Sequence, residues 1–114
     1  MKRPESGEIW IVNFEPQVGY EIKKKRPALV VSLNTYHLNS IRVVIPLRSN
    51  IPQWNILFHP IQANKENGLH VPSFADVSQL RCVSLERFKG HLGFLQDQHV
   101  GIVREIIKRY LCVH

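Results

Sequence analysis

The chain has 114 residues, 44% hydrophobic and 21% charged, a composition typical of one globular domain spanning residues 1–114. No apolar run approaches the ~20 residues that cross a bilayer, and the charged N-terminus lacks the apolar core of a secretory signal, so a cytoplasmic protein is expected. Fifteen Lys and Arg oppose nine Asp and Glu, a net charge of +6, which favours a polyanionic partner, either nucleic acid or an acidic protein segment.

Short aromatic and β-branched segments, separated by Pro and Gly, predict a mainly β fold. Pro27 stands at the start of one such segment, where a missing N–H is tolerated. The loop before it carries Pro16 and Gly19 as turn signals. The segments predicted as strands are residues 8–14, 26–33, 41–47, 54–59 and 75–83.

The last part of the chain has a different period. From Gln96 onward, Asp97 lies in the first predicted turn and Lys108 and Arg109 near the last, which agrees with the helix dipole. One amphipathic helix after five to seven short strands favours a small β-barrel with the helix packed on it. The apolar residues at helical spacing are Val100, Val103, Ile106, Ile107, Tyr110 and Leu111.

Metal and redox chemistry find no support in the sequence. Cys82 and Cys112 lie in unrelated contexts without a CxxC pair, so two buried reduced thiols are expected. The six histidines are scattered and show no ligand spacing, which argues against a metal site. Nucleophile elbows and phosphate-binding loops are also missing from the sequence, so no cofactor is expected.

Two polar clusters lie at predicted strand edges. The first is Glu21 with the cations Lys23, Lys24, Lys25 and Arg26, directly before a buried strand. The second contains Arg48 and Ser49, where the third strand stops. Arginine can bind a phosphate through two N–H groups and serine through its hydroxyl. From residue types alone, however, solvated loop rims explain both clusters better than a phosphate site does.

The order of five motifs along the chain favours a phosphate site over solvated loop rims. They are GEIW at residues 7–10, PQVGYE at 16–21, RPALVVS at 26–32, VVIPLRSN at 43–50 and SFADVSQLRCVSLERF at 73–88. Over nearly its whole length, the chain resembles the MazF/PemK family of type II toxins. The resemblance implies an SH3-like barrel with a C-terminal helix, a homodimer, metal-free cleavage of single-stranded RNA at short sequences, and a cognate antitoxin. The related gyrase poison CcdB shares this fold without the RNA chemistry.

The resemblance also implies site residues. Arg26 matches the family's catalytic arginine, whereas the family's catalytic threonine falls on Arg48. Ser49 keeps a hydroxyl one residue further on, although strand alternation points it elsewhere. Of the family's frequent Asp-Gln pair, Gln79 is kept and the acid is replaced by Ser78. Arg81 matches as well.

A chemical role follows for each residue. Attack of the RNA 2′-OH on its own phosphate passes through a dianionic transition state, which fixed cations such as Arg26 stabilise. Glu21 is the nearest candidate for the base, because an arginine rarely accepts a proton. The residues expected to bind RNA are Lys23, Lys24, Lys25, Gln79 and Arg81.

Arg48 leaves alternatives open. Its guanidinium either replaces the hydroxyl and still neutralises the transition state, or fills the phosphate site and pairs with Glu21. Retained but slow cleavage is expected. The other interpretations are a family member that binds RNA or antitoxin without efficient cleavage, and a CcdB-like toxin that binds gyrase.

Overall fold

Seven antiparallel strands and one helix make up the fold, in a computed structural model that describes residues 3–16, 18–20, 24–37, 40–50 and 53–112. The predicted mainly β class with a C-terminal helix is confirmed. The elements are β1 (Glu8–Asn13), β2 (Lys25–Val30), β3 (Ile41–Arg48), β4 (Phe58–Ile61), β5 (Ser73–Asp76), β6 (Arg81–Ser84), β7 (Phe88–Phe94) and α1 (Asp97–Tyr110).

The sheet bends around its longest strand, β3. The strand order is β4-β5-β3-β2-β1-β7, and β6 also pairs with β3. The first half of β3 pairs with β6, with Val44 opposite Arg81, whereas its end pairs with β5, with Leu47 opposite Ala75. The sheet is therefore barrel-like, although the pairings among the described residues do not close it into a ring.

Strand alternation divides the interior into two apolar cores. One core lies under the helix, where Leu29, Ile45 and Leu47 meet Val100 and Val103. The second core lies on the opposite face of the same strands and includes Trp10, Val12, Phe14, Ala28, Val30, Val44 and Val83. Side chains at the strand ends on this second face are those that reach the candidate site.

Helix α1 buries the first part of the predicted apolar stripe, whereas Tyr110 and Leu111 at its end are 47% and 56% exposed. Val100, Val103 and Ile106 are buried, and Asp97 lies in the first turn. Arg104 fastens the helix to the sheet, since its guanidinium donates to the carbonyl oxygen of Val31 and to the Ser6 hydroxyl. No helix in the described ranges is long and apolar enough to cross a membrane.

Several sequence predictions need correction. The strand predicted at 54–59 begins only at Phe58, and the one predicted at 75–83 is split into β5 and β6 by a 3₁₀ turn, Val77–Gln79. Strand β7 was not predicted. The expectation of two buried thiols is wrong, because Cys82 and Cys112 are both exposed.

Candidate active site

Arg26 and Arg48 lie at the ends of two neighbouring strands. In the β2–β3 ladder, Ala28 is opposite Pro46. Counted two residues further in the same register, the next pair on this face is Arg26 and Arg48. Both share strand parity with Ala28 and Val44 of the second core, so they lie on the face of the sheet away from the helix. Both side chains are partly exposed.

Arg81 joins this face from β6. Its strand neighbour two residues on, Val83, belongs to the second core, and its guanidinium carbon lies 5.5 Å from the centre of the Phe14 ring. Phe14 directly follows β1, and its backbone N–H donates to the carbonyl oxygen of Lys24. Arg81 is therefore held across the barrel towards the start of β2.

The loop between β1 and β2 reaches the same region. The Gln79 side-chain amide donates to the carbonyl oxygen of Tyr20 at 3.4 Å. A small open cavity of about 260 Å³ lies at this contact and is lined by Tyr20, Ser78, Gln79, Leu80 and Arg81. Gln79 and Arg81, singled out from the sequence, are thus neighbours of the loop that carries the predicted base.

Arg48 has a partner that the sequence did not suggest. Its Nη1 donates to Oδ2 of Asp76 at 3.0 Å, and its guanidinium carbon lies 5.8 Å from the centre of the Phe74 ring. Phe74 is directly opposite Arg48 in the β3–β5 ladder, and Asp76 is the diagonal neighbour on the same face. Arg48 is therefore bound to Asp76, whereas its predicted partner Glu21 lies outside the described residues.

The remaining predicted residues are less constrained. Ser49 comes one residue after β3 and is exposed. Lys24 and Lys25 are exposed at the start of β2, and Lys24 has a positive φ of 68° that turns the loop into the strand. Lys23, like Glu21, lies outside the described residues.

Sequence reasoning missed three residues that shape this region. Asp76 and Phe74 hold Arg48, and Arg87 donates to the carbonyl oxygens of Asn13 and Glu15, which fastens the start of the β1–β2 loop. Asp76 could have been found, because a carboxylate at the end of the apolar run SFAD is rarely buried without a cation. Arg87 gives no such signal in the sequence.

The arrangement offers cations and amide donors and no metal centre. Within the described ranges, no three His, Cys, Asp or Glu residues are grouped closely enough to hold a metal ion. A site of this kind can bind a polyanion and stabilise negative charge that develops during a reaction.

The sequence comparison decides the family. Residues 5–111 match the profile of the PemK-like, MazF-like toxin of type II toxin-antitoxin systems. The chain belongs to this family. Within it, the chain is similar to Endoribonuclease MazF9 of Mycobacterium tuberculosis (strain ATCC 25618 / H37Rv), with 30% identity over 111 residues, covering 92% of this chain and 93% of that protein.

Solved structures of MazF toxins share the fold. MazF (Form-I) from Deinococcus radiodurans has a TM-score of 0.86 at 22% identity, covering 99% of this chain and 100% of that one. A mycobacterial endoribonuclease in complex with its cognate antitoxin has a TM-score of 0.75 at 12% identity, covering 97% of each chain. At these identities the likeness establishes the PemK/MazF fold alone.

Proposed function

We propose that this MazF-type toxin is an endoribonuclease that cuts single-stranded RNA, with a sequence preference and without a metal ion. The observation that carries the proposal is the β2–β3 register, which pairs Ala28 with Pro46 and, continued by two residues, brings Arg26 beside Arg48 on one face. Two guanidinium groups there can flank one phosphate and neutralise charge that grows on its oxygens. Membership of the PemK/MazF family supports the substrate class.

In the proposed reaction, the RNA 2′-oxygen attacks the adjacent phosphorus and the bond from phosphorus to the 5′-oxygen breaks. The products are a 2′,3′-cyclic phosphate and a 5′-hydroxyl. Arg26 and Arg48 stabilise the dianionic transition state. Ser49, exposed one residue after β3, has the opposite strand parity to Arg48 and is assigned no separate step. Because arginine does not readily accept a proton, Glu21 is the proposed base for the 2′-OH, and the 5′-oxygen takes its proton from water.

The remaining predicted residues bind the RNA strand. Lys23, Lys24 and Lys25 contact phosphates beside the scissile one. Gln79 and Arg81 line the RNA-binding groove, the surface beside Arg26 and Arg48. The contact of Gln79 with the carbonyl of Tyr20 supports both roles, because it brings the β1–β2 loop next to the groove. Tyr20, in this loop, therefore lies beside Gln79 and Arg81.

The test is cleavage of a long unstructured RNA in excess EDTA. We expect discrete cuts, products with cyclic phosphate ends, and loss of cutting in Arg26→Ala with an unchanged melting temperature. Loss of activity on chelation, restored by one divalent ion, would overturn the metal-free mechanism. Equal losses of stability and activity in Arg26→Ala would instead assign Arg26 a structural role.

A second candidate is a family member that binds RNA and cuts it poorly. The salt bridge between Arg48 and Asp76 favours it, because the carboxylate cancels part of the charge that Arg48 brings to the groove. RNA that is retarded in a gel and remains intact after hours at saturating protein is the result expected from this candidate.

The proposed protein partners are a second copy of the chain and a cognate antitoxin. An apolar groove of about 510 Å³ between the 3₁₀ turn at Asn34–Tyr36 and the end of α1 supports a protein contact. Tyr36 and Leu111 lie there, 72% and 56% exposed. We expect light scattering to give twice the 13.2 kDa of the chain, and Tyr36→Asp to shift it towards the monomer. A wild-type monomer at micromolar concentration would contradict the dimer.

A further inference from the structure

Asp76 is a buried carboxylate at the edge of the candidate site. Only 1% of its surface is exposed, and Phe58 lies directly opposite it in the β4–β5 ladder. Burying a carboxylate in such surroundings is costly unless it is paired and hydrogen-bonded. Its Oδ2 accepts from Arg48 at 3.0 Å, while Oδ1 accepts from the Ser78 backbone N–H at 3.1 Å and from the Ser78 hydroxyl at 2.5 Å.

These contacts hold Asp76 itself in one orientation. The backbone N–H of Ser78 belongs to the 3₁₀ turn Val77–Gln79, which Asp76 caps. Asp76 pairs with Phe58 of β4, and the two residues before it, Phe74 and Ala75, pair with β3, so its main chain is anchored in the sheet. A carboxylate held in this way can determine where a mobile partner points.

Arg48 is the more exposed partner of the pair. It is the last residue of β3, and its side chain is 29% exposed, so it is not confined by burial alone. The salt bridge and the Phe74 ring hold the guanidinium at two places. The bond to Asp76 uses one of the five N–H donors of Arg48. The other four stay available in the plane of the guanidinium, and their direction is fixed by that bond.

We propose that Asp76 is a positioning residue for RNA cleavage: it holds the Arg48 guanidinium so that its other donors meet the scissile phosphate beside Arg26. The inference rests on the proposed endoribonuclease function. Fixed donors stabilise a transition state without reorganising during the reaction, so freeing Arg48 costs rate even though its charge remains. Asp76 acts through Arg48 and does not touch the substrate.

The competing explanation is that Asp76 only caps the 3₁₀ turn Val77–Gln79. The capping role and the positioning role predict different rates of RNA cleavage for a variant of Asp76. Asp76→Asn keeps the shape and can still cap Ser78, but it no longer attracts the guanidinium as an anion. We expect single-turnover cleavage to fall about 10- to 100-fold, the scale of small misplacements in an active site. RNA affinity should stay equal or rise, because a negative charge leaves the groove.

A double-mutant cycle with Arg48→Gln tests the coupling. If Asp76 acts through Arg48, Asp76→Asn has little further effect on rate in the Arg48→Gln background. Asn64→Ala is the matched control, because the Asn64 side-chain oxygen also accepts from a backbone N–H, that of Asn67, in a turn that packs against the Gly93 end of β7. We expect it to lower the melting temperature without changing the cleavage rate.

The outcomes separate the positioning role from the proposed function. No cleavage by the wild type overturns the endoribonuclease function and the positioning role with it. Cleavage by the wild type, with equal effects of Asp76→Asn in both backgrounds, overturns the positioning role alone. If Asp76→Asn does not fold, Arg48→Lys carries the test, since it keeps the charge and loses the planar fork. A wild-type rate in Arg48→Lys contradicts the proposal.

Discussion

At the scale of single residues, Arg48 and Asp76 form a salt bridge in which each side chain neutralises the charge of the other. Asp76 is almost fully buried, and Arg48 is its charged partner in the described part of the chain. A buried ion pair adds little net stability compared with an apolar pair, whereas removal of one member is costly. Replacing Arg48 by the family's threonine therefore changes the stability of the protein as well as its chemistry.

We predict that Arg48→Thr lowers the free energy of unfolding by about 1–3 kcal/mol, discounted from the value for fully buried pairs because Arg48 is partly exposed. The double variant Arg48→Thr/Asp76→Asn should recover most of this loss, since it leaves no unpaired buried charge. Urea unfolding at neutral pH measures both. A double variant less stable than Arg48→Thr alone would show that the pair does not explain the loss.

A pair of histidines gives a second prediction at this scale. Nε2 of His59 in β4 and Nδ1 of His99 in α1 lie 2.9 Å apart. Burial, and then the charge of His99, lower the pKa of His59 below its ordinary value of 6.5. His59 therefore binds a proton more tightly in the unfolded chain than in the folded one. The contribution of His59 to the free energy of unfolding is complete above pH 6.5 and is lost as the pH falls from there through the pKa of the folded state.

We expect His59→Asn to flatten the decrease in unfolding free energy on the acid side of pH 6.5. A smaller slope should remain, because burial and then Arg42 also lower the pKa of His37. Equal slopes in the wild type and His59→Asn would rule out this linkage.

At the scale of elements, the sequence predicts best where a period is long and regular. The stripe from Val100 to Ile106 predicted α1 because apolar residues return to the same face over about two helical turns. Strand β7 reads FKGHLGF and contains two glycines and no β-branched residue, so its sequence carries little strand signal. It forms because β1 offers a free edge and because Gly93 admits the backbone of Glu66 and Asn67 at close range.

The contact between Gly93 and the carbonyl oxygen of Glu66 explains why β7 contains a glycine, a residue of low strand propensity. A Cβ on Gly93 would lie 2.0 Å from the carbonyl oxygen of Glu66, so only glycine lets the turn at residues 64–67 reach β7. The backbone N–H of Phe94 donates to that same carbonyl at 2.9 Å. A contact made between segments so far apart in the chain leaves no periodic pattern in the sequence.

We predict opposite effects for two glycine substitutions. Gly93→Ala should destabilise the fold by about 1–3 kcal/mol or more, because backbone must move to admit the methyl group. Gly101→Ala should stabilise α1 by about 0.5–1 kcal/mol, because that position is exposed and a Cβ there meets nothing within 4 Å. Urea midpoints measure both changes, and a wild-type midpoint for Gly93→Ala would contradict the close approach.

At the scale of the whole molecule, the fold converts distant sequence motifs into one charged face. Arg26, Arg48 and Arg81 come from β2, β3 and β6, and strand parity places all three on the side away from the helix. The sequence indicated these residues through the family's motifs. No local pattern indicates which cation pairs with Asp76, because its contact with Arg48 depends on the β3–β5 register.

The salt dependence of RNA binding tests this concentration of charge. If Lys24, Lys25, Arg26 and Arg48 contact phosphates, the logarithm of the binding constant should fall with the logarithm of salt concentration with a slope of about −2 to −3 for single strands. Lys25→Ala should reduce that slope by about 0.7, and Lys24→Ala/Lys25→Ala by about 1.4, because each lost contact releases fewer counterions.

The control is Lys65→Ala, which removes the same charge from an exposed turn that packs against the Gly93 end of β7, where Gly93 pairs with Ile9. The start of β2 lies at the other end of β1, where Asn13 is opposite Lys25. Lys65→Ala should therefore keep the wild-type slope, because counterion release depends on contact with phosphates and not on net charge. Fluorescence anisotropy with a labelled RNA, titrated at several salt concentrations, measures the slopes. Equal reductions in Lys25→Ala and Lys65→Ala would mean that RNA responds only to the overall charge, and the proposed groove along β2 would then be wrong.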